Sequence, residues 1–192
     1  MTGFWRRLLL GGADGPELVQ GPLTLRAPHL EDYTAWRAVK ERDRAWLQPM
    51  QPRWHPDHLE KDSYHRRLAR FASADRRGAA RTFHLFAEPD GRFVGFCQLA
   101  PIQYGPAQIG TLGYWVAKPE WGQGFATHAV TAVCEMAFGT LGLHRIEAHC
   151  LPRNKPSARV LEKAGFACEG RLKGFLEING EREDHLLYAK VA

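Results

Sequence analysis

The stretch from Gly113 to Thr127, GYWVAKPEWGQGFAT, constrains this chain more than any other. An apolar strand pattern breaks at Pro119, passes through Gly122 and Gly124, and opens into helical spacing. Glycine reaches backbone conformations closed to other residues and lets main chain approach a ligand closely. The helix that follows presents unpaired N–H groups and the positive end of its dipole. Strand, glycine turn and helix together make a phosphate cradle, so the chain is expected to hold a phosphorylated cofactor. Two familiar versions are excluded by spacing. A dinucleotide fold needs a third glycine where Thr127 stands, and a P-loop needs Gly-Lys-Ser/Thr, which is absent.

The rest of the pattern surrounds that unit with strands and helices. Leu23 to Arg26 reads as a short strand, and Leu30, Tyr33, Trp36 and Val39 recur at helical spacing up to Lys40. Leu47 to Pro56 carries Pro49, Pro52 and Pro56 and reads as loop. A helix is expected over Asp57 to Ala74, a strand over Arg81 to Glu88, and a return strand over Arg92 to Ala100 after the Asp90-Gly91 turn. A strand over Gln108 to Ala117 precedes the glycines, and a helix over Ala126 to Leu141 follows them. Next come a strand (His144 to Leu151), a short helix (Ser157 to Ala164) closed by Gly165, and two strands (Gly170 to Ile178, His185 to Val191) around Asn179-Gly180. This order predicts an α+β fold, a mixed sheet with helices packed on it, in which the central strand–helix–strand unit is parallel.

Composition removes several alternatives. Hydrophobic content of 44% and charged content of 24% suit a globular chain, and 192 residues suffice for one core. No apolar run approaches the roughly 18 residues of a membrane helix. Leu8 to Leu10 is too short for a signal-peptide core of about 7–15 residues, so residues 1–22 are expected to form a flexible arm and residues 23–192 a single domain. Cys97, Cys134, Cys150 and Cys168 form no C-x-x-C pair and sit among apolar neighbours, which predicts buried reduced thiols in a cytoplasmic protein. The net charge of +5 gathers between Lys61 and Arg81, through Arg66, Arg67, Arg70, Arg76 and Arg77. Such a face is either solvated surface or a dock for something anionic, such as ribosomal RNA. No aromatics alternate with these arginines, so neither single-strand nor sequence-specific nucleic-acid binding is expected. The histidines and acids show no metal spacing.

Taken in order, the segments Leu112 to Val116, Trp121 to Ala126, Leu143 to Ala148, Asn154-x-x-Ser157, Val160 to Phe166, Glu169-Gly170 and Ile178 to Gly180 form a series. The series resembles the GNAT acyl-CoA N-acyltransferase superfamily, and within it the RimJ-type ribosomal-protein-alanine N-acetyltransferases. The similarity runs from about Leu23 to Ala189. It implies a mostly antiparallel sheet of six or seven strands, split in a V between its two central parallel strands. It also implies acetyl-CoA as donor and direct attack by an amine in a ternary complex.

The resemblance carries residue roles with it. Backbone amides from Trp121, Gly122, Gln123, Gly124, Phe125, Ala126 and Thr127 correspond to the loop that grips the pyrophosphate. The superfamily usually has Gln or Arg where Trp121 stands and often a third glycine where Ala126 stands; main-chain donors survive both changes. Trp115, Val116 and Ala117 match the strand whose free amides pair with the pantetheine arm and face the thioester carbonyl. Asn154 matches a residue that touches that arm, or is simply a helix cap. Ser157 matches a hydroxyl placed to protonate the leaving thiolate; a neighbouring branch uses a tyrosine at the position of Leu161, so that route is closed. Three candidates share the role of base: Glu147, His149 and Glu177. Tyr114 and Trp115 are expected to shape the gap, with Trp46, Trp54 and the Arg66–Arg70 helix on the acceptor side. The acceptor is expected to be a protein N-terminus, an alanine of a small-subunit ribosomal protein. A small amine, or a non-catalytic ribosome-associated binder of acetyl-CoA, remains the alternative. The expected state is a monomer or homodimer.

Overall fold

The computed structural model describes residues 17–192. Eight strands form one sheet in the order β1-β2-β3-β4-β5-β6-β8-β7. They are β1 Leu18–Gln20, β2 Leu23–Arg26, β3 Arg81–Ala87, β4 Arg92–Gln103, β5 Ile109–Val116, β6 Arg145–Cys150, β7 Ala167–Ile178 and β8 Glu181–Val191. The helices are α1 Tyr33–Arg42, α2 Arg44–Leu47, α3 Lys61–Arg76, α4 Phe125–Gly139 and α5 Lys155–Lys163. All pairings are antiparallel except β5 with β6.

Alternation along the strands divides the core between the two faces of the sheet. Val94 and Leu85 pack with the apolar stripe of α4, in a cluster that also takes in Ile146 of β6 and Leu161 of α5. Phe93 faces the other way, into a smaller cluster with Trp36 and Val39 of α1 and Tyr64 of α3. Residues Ala129, Val130, Val133 and Ala137 of α4 are fully buried, as a helix against a sheet requires.

A buried carboxylate fastens the start of α1 to the sheet. Asp32 accepts hydrogen bonds from Arg26 Nη2 (2.6 Å), His29 N (2.8 Å) and His84 Nδ1 (2.8 Å). Burial opposes ionisation of Asp32, but the bonds from His84, Arg26 and His29 outweigh it and hold its pKa far below the usual carboxylate range.

Several expectations are adjusted. The sheet has eight strands, because β1 lies inside the segment expected as an arm and pairs with β2; residues 1–16 lie outside the described residues. The proline-rich segment is not all loop, since Leu47 ends α2 and Gln48–Met50 continues as a 3-10 turn with Pro49 near its start, where proline is tolerated. The helix expected from Asp57 starts at Lys61. Cys97, Cys134 and Cys150 are buried, but Cys168 is exposed on β7, the edge strand of the sheet, which is exposed along nearly its whole length.

Candidate active site

The parallel pair is short. β5 and β6 pair only from Ile109 with Arg145 to Leu112 with Ala148; beyond that, Gly113 to Val116 run on without β6. The sheet therefore forks where the sequence resemblance implied a split. Ala117 N donates to Val94 O (2.8 Å), so the odd-numbered amides at this end of β5 face β4. Alternation then turns the amides of Tyr114 and Val116 toward the open side of the fork. Of the three positions expected to serve the pantetheine arm, Val116 thus offers a free N–H. Trp115 and Ala117 spend theirs on β4, and Tyr114 supplies the second free amide.

The glycine turn stands at the end of this free edge. Gly122 and Gly124 have φ of 80° and 84°, the left-handed region that glycine enters without strain. Gly124 is the N-cap of α4 and no side chain caps the helix, whose first internal bond is His128 N to Gly124 O (3.0 Å). The amides of Phe125, Ala126 and Thr127 are left without an intrahelical acceptor. These three residues, with Gly122 and Gly124, line a cleft of about 1010 Å³. A row of main-chain donors at a helix start suits a diphosphate. Gln123 does not line the cleft; its amide bonds to Glu120 Oε2 (3.1 Å). Trp121 does line it, and its Nε1 donates to Val116 O (3.0 Å), pinning the turn to β5.

At the fork, Ser157 meets Tyr114. Pro156 occupies the first turn of α5, and Asn154 caps that helix by accepting from Ser157 N (3.2 Å). Both readings of Asn154 are therefore compatible, since it caps the helix and also lines the cleft. The Tyr114 hydroxyl lies 2.9 Å from Ser157 Oγ and 3.1 Å from Ser157 O. Burial pushes the Tyr114 phenol well above its ordinary pKa, so both hydroxyls stay protonated at neutral pH.

The three base candidates separate. His149 lines the cleft, beside Phe175 (ring centroids 4.6 Å apart). Burial lowers its pKa against the opposing pull of Glu147, leaving a neutral imidazole at pH 7. Glu147 does not line the cleft; it accepts from Arg145 Nε (2.9 Å), with His149 Nε2 3.9 Å away. Glu177 is exposed, and strand alternation turns it away while Leu176 and Ile178 face the cleft.

Trp46, Trp54 and Trp115 also line the cleft, together with a residue sequence reasoning passed over. Lys40 is only 3% exposed. Its Nζ lies 4.3 Å from the Trp54 ring centre and 5.0 Å from that of Trp115, and donates to Gln51 Oε1 (2.9 Å). Burial, then the nearby Arg67, push its pKa down to about 7. The signal was available: Lys40 follows Trp36 by four residues, which places both on one helix face. The end of α1 and the segment after it are also tied to the glycine turn. Asp43, buried at the end of α1, accepts from Lys118 N (2.8 Å) ahead of the glycine turn, and Trp46 meets Trp121 edge-on with centroids 4.3 Å apart.

Unpaired amides at the start of α4 and along the free edge of β5, opening on one cleft, suit a protein that takes acyl groups from a nucleotide-linked thioester. The comparisons give the family. Residues 22–167 match the family described as "Acetyltransferase (GNAT) domain", and the chain belongs to this family of acetyltransferase enzymes. It is 30% identical over 169 residues to the [Ribosomal protein uS5]-alanine N-acetyltransferase of Escherichia coli, covering 87% of this chain and 86% of that protein. It is 45% identical over 107 residues to the probable N-acetyltransferase YjcK of Bacillus subtilis, a match spanning 56% of this chain and 59% of that one. The solved structure of Mycobacterium smegmatis RimJ in complex with CoA-disulfide has a TM-score of 0.84 and 34% identity, covering 93% of this chain and 87% of the other. Acetyl-CoA is the donor of this family, and the uncapped α4 start and free β5 edge fit it. Among the described residues, no helix is long and apolar enough to cross a membrane.

Proposed function

We propose that this enzyme acetylates the N-terminal amine of a protein in the cytoplasm, an alanine of a small-subunit ribosomal protein, by direct attack within a ternary complex. The observation that carries the reading is the fork. It frees the Tyr114 and Val116 amides beside a hydroxyl pair, and the cleft continues past them into an acceptor end. The likeness to the uS5-alanine enzyme over most of both chains supports the choice of acceptor.

Acetyl-CoA supplies an acetyl group activated as a thioester. The amides of Phe125, Ala126 and Thr127 hold the diphosphate and fix the reach of the arm. Val116 N–H faces the carbonyl and stabilises the negative charge that develops on its oxygen. His149, neutral, takes the proton from the attacking amine. An α-amino group of pKa about 8 is already partly neutral at pH 7, so a weak base suffices. Ser157 Oγ gives its proton to the departing sulfur and draws one through the Tyr114 hydroxyl; solvent restores the pair and takes the amine proton from His149, so the cycle closes. The exposed arginines Arg66, Arg70 and Arg76 of α3, with Arg77 at its C-cap, form the face proposed to dock on the ribosome; Arg67 is turned inward over Trp36 (4.8 Å) and takes no part.

Mass spectrometry of cellular N-termini with and without the protein tests this reading. Loss of a ribosomal N-acetylalanine in its absence is the expected result. Intact N-termini, with acetyl transfer to small amines lost instead, overturn it.

A further inference from the structure

Among the described residues, the acceptor end holds two cations, Lys40 and Arg67, that no carboxylate pairs with directly. Lys40 has no carboxylate partner among the described residues, where its contacts are Gln51 and two indole faces. Arg67 stacks over Trp36, and its Nη2 reaches His58 Nδ1 (3.2 Å) and His58 O (3.3 Å). The nearby Asp57 is taken by His55 (2.6 Å) and Arg66 (2.6 Å). His58 ties the two cations together, stacked on Trp54 at 4.4 Å and 14° and tilted against Trp36 at 5.9 Å.

The unmet hydrogen-bonding capacity has one sign. With Nδ1 accepting from Arg67, His58 carries its hydrogen on Nε2, and that atom is buried without a partner. The other such side-chain atom among the described residues is Trp46 Nε1, also a donor. Both residues line the cleft. Burial of cations and donors without acceptors costs free energy, which a ligand bearing oxygen acceptors and negative charge recovers.

We propose that the acceptor end binds a carboxylate between Lys40 and Arg67, so that the enzyme selects peptide N-termini carrying Asp or Glu shortly after the acetylated residue. This rests on the peptide reading above and names the substrate class within it. Trp115 places the carboxylate pocket next to the free edge of β5, within a short peptide's reach of the thioester. The depressed pKa of Lys40 agrees, since a lysine falls to about 7 when burial and a neighbouring arginine act on it without an anion. A carboxylate returns Lys40 to its charged form and completes the site. The same charges disfavour polyamines.

The test is equilibrium binding to protein saturated with CoA, read by calorimetry. The probes are alanine-initiated tetrapeptides with one Glu walked through positions two to four, each paired with its Gln twin. At one position the Glu peptide is expected to bind about tenfold tighter than its twin, the scale of a charge-assisted hydrogen bond. In Arg67→Met that ratio is expected to fall to about one. Twins that bind alike at every position overturn the proposal, as does a ratio unchanged in Arg67→Met. Lys40→Met is a second variant judged by the same ratio, and the wild-type ratio decides if neither variant folds. Acid preference without turnover of any peptide keeps the pocket and overturns the N-terminal acetylation reading. Turnover without acid preference does the reverse.

Discussion

Gly122 isolates the backbone contribution of the cofactor turn. Its φ is +80°, and a Cβ built there meets nothing within 4 Å. An alanine therefore fits by volume and fails only by conformation. Left-handed backbone costs a non-glycine L-residue about 1–2 kcal/mol. The turn is exposed and no side chain caps α4, so Gly122→Ala relaxes to another conformation while the site is empty and regains the turn only on binding. The strain then falls on cofactor affinity, where about 1–2 kcal/mol corresponds to roughly a 5- to 30-fold rise in the Kd for CoA. The melting temperature of the free protein should shift by less than about 2 °C, under what 1 kcal/mol of global destabilisation gives a chain of this size. Asparagine enters the left-handed region more readily than alanine, so Gly122→Asn should recover most of the affinity despite its larger side chain. Calorimetric titration of CoA into the three proteins checks this. Equal losses in the alanine and asparagine variants would mean that side-chain bulk, and not φ, sets the requirement, and unchanged affinity in both would sink the assignment of this turn to the diphosphate.

Other outcomes follow from the fork and the core. Ser157→Ala and Tyr114→Phe should each lower kcat by about 100-fold while leaving CoA binding within about twofold. The double variant should be no worse than the more damaged single one, because the two hydroxyls act as one relay. His149→Gln should remove the acid limb of the kcat/KM profile. In the unaltered enzyme the imidazole pKa, lowered by burial, keeps activity flat through neutrality and makes it fall only on the acid side of the ordinary histidine range; a limb that survives the substitution assigns the base elsewhere. Asp32→Asn should cost about 3 kcal/mol at pH 7 in urea denaturation, as expected for breaking a buried ion pair. Because the folded pKa of Asp32 is depressed, its contribution is complete above the unfolded value of about 3.9 and fades as pH falls toward the folded value. The difference between variant and parent should therefore shrink in acid.

What the chain reveals in one dimension depends on how local the physics is. The glycine turn, the Asp90-Gly91 hairpin and the α4 stripe are set by near neighbours, and each stands within a few residues of its expected place. The fork was legible through resemblance and not through periodicity, since β5 reads as one apolar strand whether or not β6 follows it. β1 escaped notice because three residues, Leu18–Gln20, carry too short an alternation to register; pairing with β2 holds them. The base candidates could not be ranked before folding. Glu147 and His149 share a strand face, and only the surroundings show that Arg145 occupies the one while the cleft receives the other. The Ser157–Tyr114 bond joins residues 43 apart, and local patterning is blind to such separations. Lys40 was passed over for a different reason. A lysine near a helix end ordinarily points to water, and its burial comes from the indoles of Trp54 and Trp115 closing over it.

The bond from Lys118 to Asp43, with Trp46 set against Trp121, means that the two halves of this catalyst are not interchangeable parts. Grafting residues 33–76 from a relative to redirect specificity would import a foreign seat for the glycine turn, and, on the proposed role of that turn, donor affinity would change along with acceptor choice. Lineages that diversify their targets on this scaffold must revise both sides of that junction together, or keep it fixed and vary only the residues that line the far wall.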